Sequence, residues 1–432
     1  MKSISILSII CLFFISLLPL SAQESIEDEY EAFVKQRVNE MVEFRNQRDK
    51  EFASFLKEYW EMYIATAGIK QPMPGPDNPI YYKPAEKPKE PIIEKESKPV
   101  TPKAKPTLKP PSVKPESKSK PTPKPDGSID KTTQAHITFY GGQYAVSKPN
   151  TTVYLSNIEE THLAEAWTTL SKANYGAIVN DCLRLKKELN LNDWGYIMLA
   201  KSAGQLLSKR QTADEIVFGQ MFILLQSNYK VRMARVNNRL AMLVATDQLL
   251  YDTPFTEVGH DRYFVITNNR NEDINAVYSY NKDFAAATIY ISMDIEYMPQ
   301  LVDNNYQEVM ETENSLQKIS SSVNENLINY FKDYPQCDIS IYMNAKPSIQ
   351  FQNFIEPQFA AMIEGKSTVD AASILLRYIQ LGFKYATDQQ QFGYEKPFFI
   401  DENFFYPQND CEDRAILYGY LMKSLLQLDV IV

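Results

Sequence analysis

Residues 72 to 125 limit what this chain can fold into more than any other feature. Those 54 residues hold 16 of the 25 prolines, with 12 lysines against 6 acidic residues. Proline fixes φ and removes a backbone donor, so neither a helix interior nor a central strand can run through "KPKEPIIEKESKPVTPKAKPTLKPPSVKPESKSKPTPKPDG". The composition favours an extended polyproline II path, and at about 3.1 Å per residue the segment could hold its ends more than ~100 Å apart. A Pro/Lys-rich disordered linker is therefore expected over residues 70–130, and any packed core must come from the sequence on either side. The linker is a basic strap in a chain of net charge −9. It acts as a spacer or contacts an anionic envelope or wall polymer.

The chain opens with "MKSISILSIICLFFISLLPLSAQ". One lysine, a short apolar run and small residues before Gln23 predict a signal peptide over 1–22, cleaved near Ala22; the alternative is an uncleaved anchor. Cys11 follows the bulky Ile10, which disfavours lipidation. No later stretch reaches about 18 uninterrupted apolar residues, so no transmembrane span is expected in the mature chain. An exported, periplasmic or extracellular protein follows. Loss of Lys2 takes the net charge from −9 to −10, which argues against a nucleic-acid partner. Export leaves Cys182, Cys337 and Cys411. Either two of them bridge, or all three stay reduced, with Cys182 and Cys337 as buried small hydrophobes.

Between signal and linker, residues 23–69 predict an amphipathic helical segment with Ile26, Tyr30, Phe33, Val34, Val38 and Met41, then Phe52, Leu56, Tyr59 and Tyr63, at steps of three and four. The stripe breaks near Arg45 to Arg48. It docks on the main domain, self-associates or binds a partner. After the linker the pattern predicts α+β, with a domain over 131–350 and a second region over 351–432. Strands are expected in "AHITFYGGQYAV", "TTVYL", "YKVRMARV", "RLAMLVAT", "DRYFVITN" and "AATIYISMDIEYM". Helices are expected in "IEETHLAEAWTTLSKANYGAIVNDCLRLKKEL", "DWGYIMLAKSAGQLLSKR", "DEIVFGQMFILLQSN" and "SLQKISSSVNENLINYFKDY".

The last region carries the chemistry. A helix is expected from about Val369 to Phe383 behind a Ser/Thr cap, followed by a polar, aromatic loop. Asp410 is then a good N-cap, and Cys411 enters the first turn of a helix continued by Ala415, Tyr418, Met422 and Leu425, with "DVIV" as the start of a strand. The helix start favours thiolate over thiol and offers backbone donors to an oxyanion. Asp410, Glu412 and Asp413 oppose a further negative charge there, and only Arg414 favours it. Cys411 is thus either a nucleophile or a structural cysteine on a capped helix.

The order "FKYATD", aromatic loop, "DCEDRAILYGYLMKSLLQLDVIV" resembles the transglutaminase-like superfamily, whose cores share the papain-like cysteine-nucleophile plan. The match runs from Val369 to Val432, and "LNDWGYIML" and "TDQQQFGYEKPFF" are similar to exported bacterial members, which extends it back to about residue 132. The resemblance implies a transglutaminase-like/papain-like core, Cys411 as nucleophile, thiol-dependent amide hydrolysis or acyl transfer on a protein or peptide substrate, and no cofactor. Tyr385 and Asp388 fall in the exit from the preceding helix and are not themselves expected to be catalytic. The family pattern continues with a Gly-His strand and an Asp strand, whereas the 21 residues after Cys411 contain no histidine. The core is therefore expected to be C-terminally incomplete, and inactive as it stands; the alternative is a noncatalytic envelope-associated binding or scaffold protein with the same fold. Positioned proton transfer is worth about 10² to 10⁴ in rate.

Of the three histidines, His136, His162 and His260, only His260 imitates the missing pair, since Gly259-His260 enters an expected strand and Asp273 follows. It is the candidate base if the core is permuted. An echo of "LLQ" at 224–226 and 425–427 sets Arg210 where Cys411 stands, so the upstream domain is a candidate degenerate half. No metal is expected, because Asp410, Glu412 and Asp413 lack the alternating glycine-containing loop of calcium sites and no Cys or His pair has zinc spacing.

Overall fold

The computed structural model describes residues 20–58, 60–71, 134–267, 272–309 and 316–430. The expected signal peptide, apart from its last three residues, and nearly all of the expected linker lie outside them. No described helix is long and apolar enough to cross a membrane.

Helix α1 spans Leu20–Leu56 and divides into two parts. Tyr30, Phe33, Val34, Val38 and Met41 are exposed, whereas Phe52, Ala53 and Leu56 are buried with Trp60. The change comes where the stripe breaks. Arg45 lies over the Tyr175 ring and Arg48 over Phe284, while buried Asp49 accepts the Tyr175 hydroxyl at 2.8 Å and the Gln226 amide at 3.0 Å. The second half of the helix therefore docks on its own chain. The helix stops short of the expected end, because Glu61–Ile64 is strand β1. Tyr63, read from its spacing as a helix position, belongs to that strand.

Strands β2 (Gln134–Phe139) and β3 (Gly142–Ser147) form the expected hairpin. Four helices follow: α2 (Glu160–Ser171), α3 (Tyr175–Glu188), α4 (Asp193–Leu207) and α5 (Ala213–Gln226). The first expected helix is broken in two at Asn174, whose backbone leaves the helical region and whose N–H bonds Asn150. "TTVYL" forms only an isolated bridge, Val153 to Ser208.

Strands β4 (Val231–Val236), β5 (Arg239–Ala245), β6 (Phe255–Val258), β7 (Asp261–Ile266) and β8 (Ala276–Ser279) join β1 in a six-stranded antiparallel sheet of order β1-β8-β4-β5-β7-β6. Asn237 and Asn238 turn the β4–β5 hairpin with φ of 48° and 62°, the left-handed pair that a tight two-residue turn needs and that asparagine tolerates. Period-two alternation sorts the two faces. Leu240, Met242 and Val244 join the helical core, while Ala241, Leu243 and Ala245 line a second, smaller cluster with Ala234, Tyr263 and Val277. An antiparallel bridge from Thr66 to Phe255, and the Thr256 hydroxyl on the Ile64 carbonyl at 3.0 Å, nearly close the sheet between β1 and β6.

Residues on either side of the proline-rich span thus belong to one body. Trp60 and Ile137, which flank it in sequence, lie in the same buried cluster. "AATIYISMDIEYM" is not a strand: Ile289 makes a single parallel bridge to Tyr229, and Ile291, Met293 and Ile295 are buried without a ladder. The expected helix over "SLQKISSSVNENLINYFKDY" begins only at Glu325, because Ser320–Asn324 is strand β10 paired with β9 (Asn305–Val309). Helix α6 (Glu325–Asp333), with Asn324 accepting the Asn326 N–H, leads to α7 (Ile339–Asn344) and α8 (Glu356–Met362). The architecture is mixed α+β, and the buried apolar cluster runs from Phe52 to Met422.

Phe52 meets Trp167, Phe284 and Tyr280 with ring centroids 4.6, 4.9 and 5.4 Å apart. Phe52→Ala is expected to cost roughly 3–5 kcal/mol in urea unfolding. It should also expose residues 20–56 to limited proteolysis at concentrations where the wild type resists. A loss below about 1 kcal/mol would show that α1 is not part of the core.

Candidate functional site: the start of the Cys411 helix

Helix α9 (Thr368–Gly382) starts as expected, with the Ser367 hydroxyl accepting the Asp370 N–H at 3.2 Å. It feeds β11 (Lys384–Tyr385), which pairs in parallel with β12 (Gln408–Asn409), and Asp410 then caps α10 (Cys411–Leu426). The excursion between β11 and β12 therefore leaves and returns side by side. Its sequence predicts a polar, aromatic loop, and Phe398, Phe399, Ile400, Asp401, Glu402, Asn403 and Phe404 are all buried. Phe399 stacks on Phe331 at 4.5 Å. Asp401, Glu402 and Asn403, the polar side chains buried among these aromatics, each have a partner, as burial requires. Asp401 accepts from the Ser348 N–H at 3.0 Å and from its hydroxyl, Glu402 pairs with Lys396, and Asn403 accepts from Asn409 at 2.8 Å.

Asp413 ties this plug to the helix. One carboxylate oxygen accepts the Phe398 N–H at 2.8 Å and the other reaches back to the Asp410 N–H at 3.2 Å. Asp410 in turn accepts the Asp388 N–H at 3.4 Å, and Asp388 accepts the Lys396 N–H. Both are buried although they lie 22 residues apart in sequence. Burial first, then the neighbouring Asp410, pushes the Asp388 carboxyl up to about 8 and that of Glu412 up to about 9; Asp413 is raised by the same causes. Protons held on Asp388 and Glu412 near neutral pH weaken the opposition to a thiolate that the bare acidic sequence implies.

Cys411 is exposed and in no disulfide, whereas Cys182 and Cys337 are buried and likewise in none. Burial pushes the Cys182 thiol up to about 12 and raises Cys337 as well. Beside Cys411 Sγ stands the Tyr385 hydroxyl at 3.9 Å, itself pushed up to about 12 by burial and by the cysteine. Arg414 lies over the Tyr385 ring at 5.3 Å, donates to Asn409 at 2.8 Å and to the Phe383 carbonyl at 3.0 Å, and so locks both parallel strands to the first helical turn.

No histidine hydrogen-bonds or ion-pairs with Cys411 among the described residues. His260 is exposed in the β6–β7 turn, next to Gly259 with φ of 66°, and Asp273 is exposed ahead of β8. His136 is on β2, and His162 on α2 lies 3.9 Å from Glu159. Arg210 precedes α5 in a loop and pairs with Glu215 at 2.9 Å, so it does not open a helix as Cys411 does. Asp429 and Val430, the described part of the expected final strand, are not in a strand. Sequence reasoning placed Asp388 only as a neighbour of the site. Its one local signal is the capping box of Thr387 and Gln390, which starts a helical turn but does not reveal the acids packed against it.

No protein-family model, curated protein or solved structure matches the chain.

Asp413→Ala strands two buried N–H groups and is expected to lower unfolding stability by roughly 2–5 kcal/mol. Chemical denaturation checks this. A change under about 0.5 kcal/mol would mean that the plug is held by its aromatic rings alone.

Proposed function

We propose that this chain is an exported transglutaminase-like cysteine protein in which Cys411 is the nucleophile for thiol-dependent amide hydrolysis or acyl transfer on a protein or peptide. The observation that carries this is the contrast among the three cysteines: the two in the core are buried, and the exposed one opens a 16-residue helix. In the proposed reaction Sγ attacks the acyl carbon and the carbonyl oxygen takes the negative charge near the positive end of α10. Expulsion of the amine, which takes up the thiol proton, gives a thioester, which water or an amine resolves with return of the thiol. Efficient turnover needs a base at Sγ, and no histidine among the described residues is bonded there. The chain is therefore expected to acylate once and release slowly.

The second reading, a noncatalytic envelope-associated scaffold, is favoured by the exposed stripe of Tyr30, Phe33, Val34, Val38 and Met41 on α1. In either reading the basic span 72–125 is proposed to lie against anionic envelope or wall polymer.

With native chain and p-nitrophenyl acetate, a burst of about one equivalent of nitrophenol is expected, absent in Cys411→Ala. Native alkylation by iodoacetamide should mark Cys411 at least about tenfold faster than Cys182 or Cys337. A burst that survives Cys411→Ala, or slower labelling at Cys411, would leave the scaffold reading.

A further inference from the structure

We propose that residues 28–44 of α1 form the interface through which two copies of this chain pair, with their helices antiparallel about Val38. Every residue from Asp28 to Phe44 is exposed, and seven of these 17 are large and apolar. A helix this short is marginal in water and draws most of its stability from packing an apolar face. Val34, Val38 and Val42 continue the line of Arg45, Asp49 and Phe52 at steps of three and four. The face that docks the second half of α1 on its own chain therefore runs on, uncovered, for about 25 Å.

The order of charges along the stripe selects a second copy as its occupant. Asp28, Glu29 and Glu31 come first, with no basic residue before Lys35. Farther on, Arg37 is spent on Glu40 at 2.7 Å, and Arg48 on Asp49 and Gln226. Arg45 pairs with no acid among the described residues, and its buried Nε has no acceptor. A parallel neighbour would set acids on acids. An antiparallel neighbour turned about Val38 sets Glu31 opposite Arg45 of the second copy, Val34 opposite its Val42, and Val38 against its own counterpart. One patch thus meets itself, as a two-fold pair requires. A membrane surface suits the stripe less well, because helices that lie in one carry Lys and Arg on the polar face, whereas acids lead this one. Two helices of about five turns bury less than a standard interface, so the pairing is reversible. It stands whether or not Cys411 is a nucleophile.

Sedimentation equilibrium of the purified chain is expected to show monomer and dimer exchanging with a dissociation constant of about 1–100 μM. Val38→Glu should raise that constant at least about tenfold and leave the thermal midpoint of the diluted monomer unmoved, since Val38 is exposed in the single chain. Cysteine linking reads the orientation. In a Cys411→Ala background, Val38→Cys should oxidise to a linked dimer at least about tenfold faster than Met41→Cys, whose two copies stand about 9 Å apart along antiparallel helices. A wild type that stays monomeric at about 200 μM, or a dimer that survives Val38→Glu, would overturn the proposal. Equal linking at both positions would show a parallel pair and overturn the arrangement. Monomer that binds phosphatidylglycerol vesicles, and loses them in Val38→Glu, would assign the stripe to a membrane instead.

Discussion

The Asp413 carboxylate, buried and bonded at once to the Phe398 and Asp410 N–H groups, is the contact on which the site depends. It fixes the plug after β11 to the first turn of α10. Phe398 and Phe399 are thereby held in the core, and Asp388 is drawn next to Asp410. Cys411, between buried Asp410 and half-buried Glu412, has its thiol left outside. A carboxylate serving two buried donors is worth more than an exposed pair, because removing it leaves both donors unsatisfied. Exposure of the thiol is thus set by what its neighbours do.

The rest of the molecule is organised around an equally long-range closure. Strand β1 lies on the far side of the proline-rich span from the other five strands of its sheet, yet it pairs with β8 from Glu61 to Ile64 and nearly closes the sheet against β6. Loop-closure entropy grows only slowly with length, by about 0.6 kcal/mol per doubling. Burial of Phe52, Leu56 and Trp60 beside β1 favours this pairing: each fully buried large apolar side chain contributes roughly 1.5–3 kcal/mol.

Local signals were legible where a local rule decides the outcome. Ser367 caps α9, Asp410 stands at the start of α10, and the alternation in "RLAMLVAT" separates the side that joins the helical core from the side that lines the smaller cluster. The rule failed where pairing is remote. Tyr63 sits at helical spacing from Tyr59, but its backbone pairs with Val277 more than two hundred positions later. "SSSVN" gave way to a strand because β9 supplies its ladder, and "AATIYISMDIEYM" has strand composition without a full partner. The acid cluster was hidden for the same reason. Asp410, Glu412 and Asp413 are adjacent on paper, but Asp388 completes the group only because β11 and β12 run side by side.

Amide hydrogen exchange on the native chain tests the central claim, that buried carboxylates hold the start of the Cys411 helix. The N–H groups of Asp388, Lys396, Phe398 and Asp410, each donated to one of these acids, should exchange as slowly as those of the β4–β5 ladder. Exchange at the rate of exposed turns would mean that the plug opens freely, and that neither the thiol nor the acids beside it have a fixed geometry.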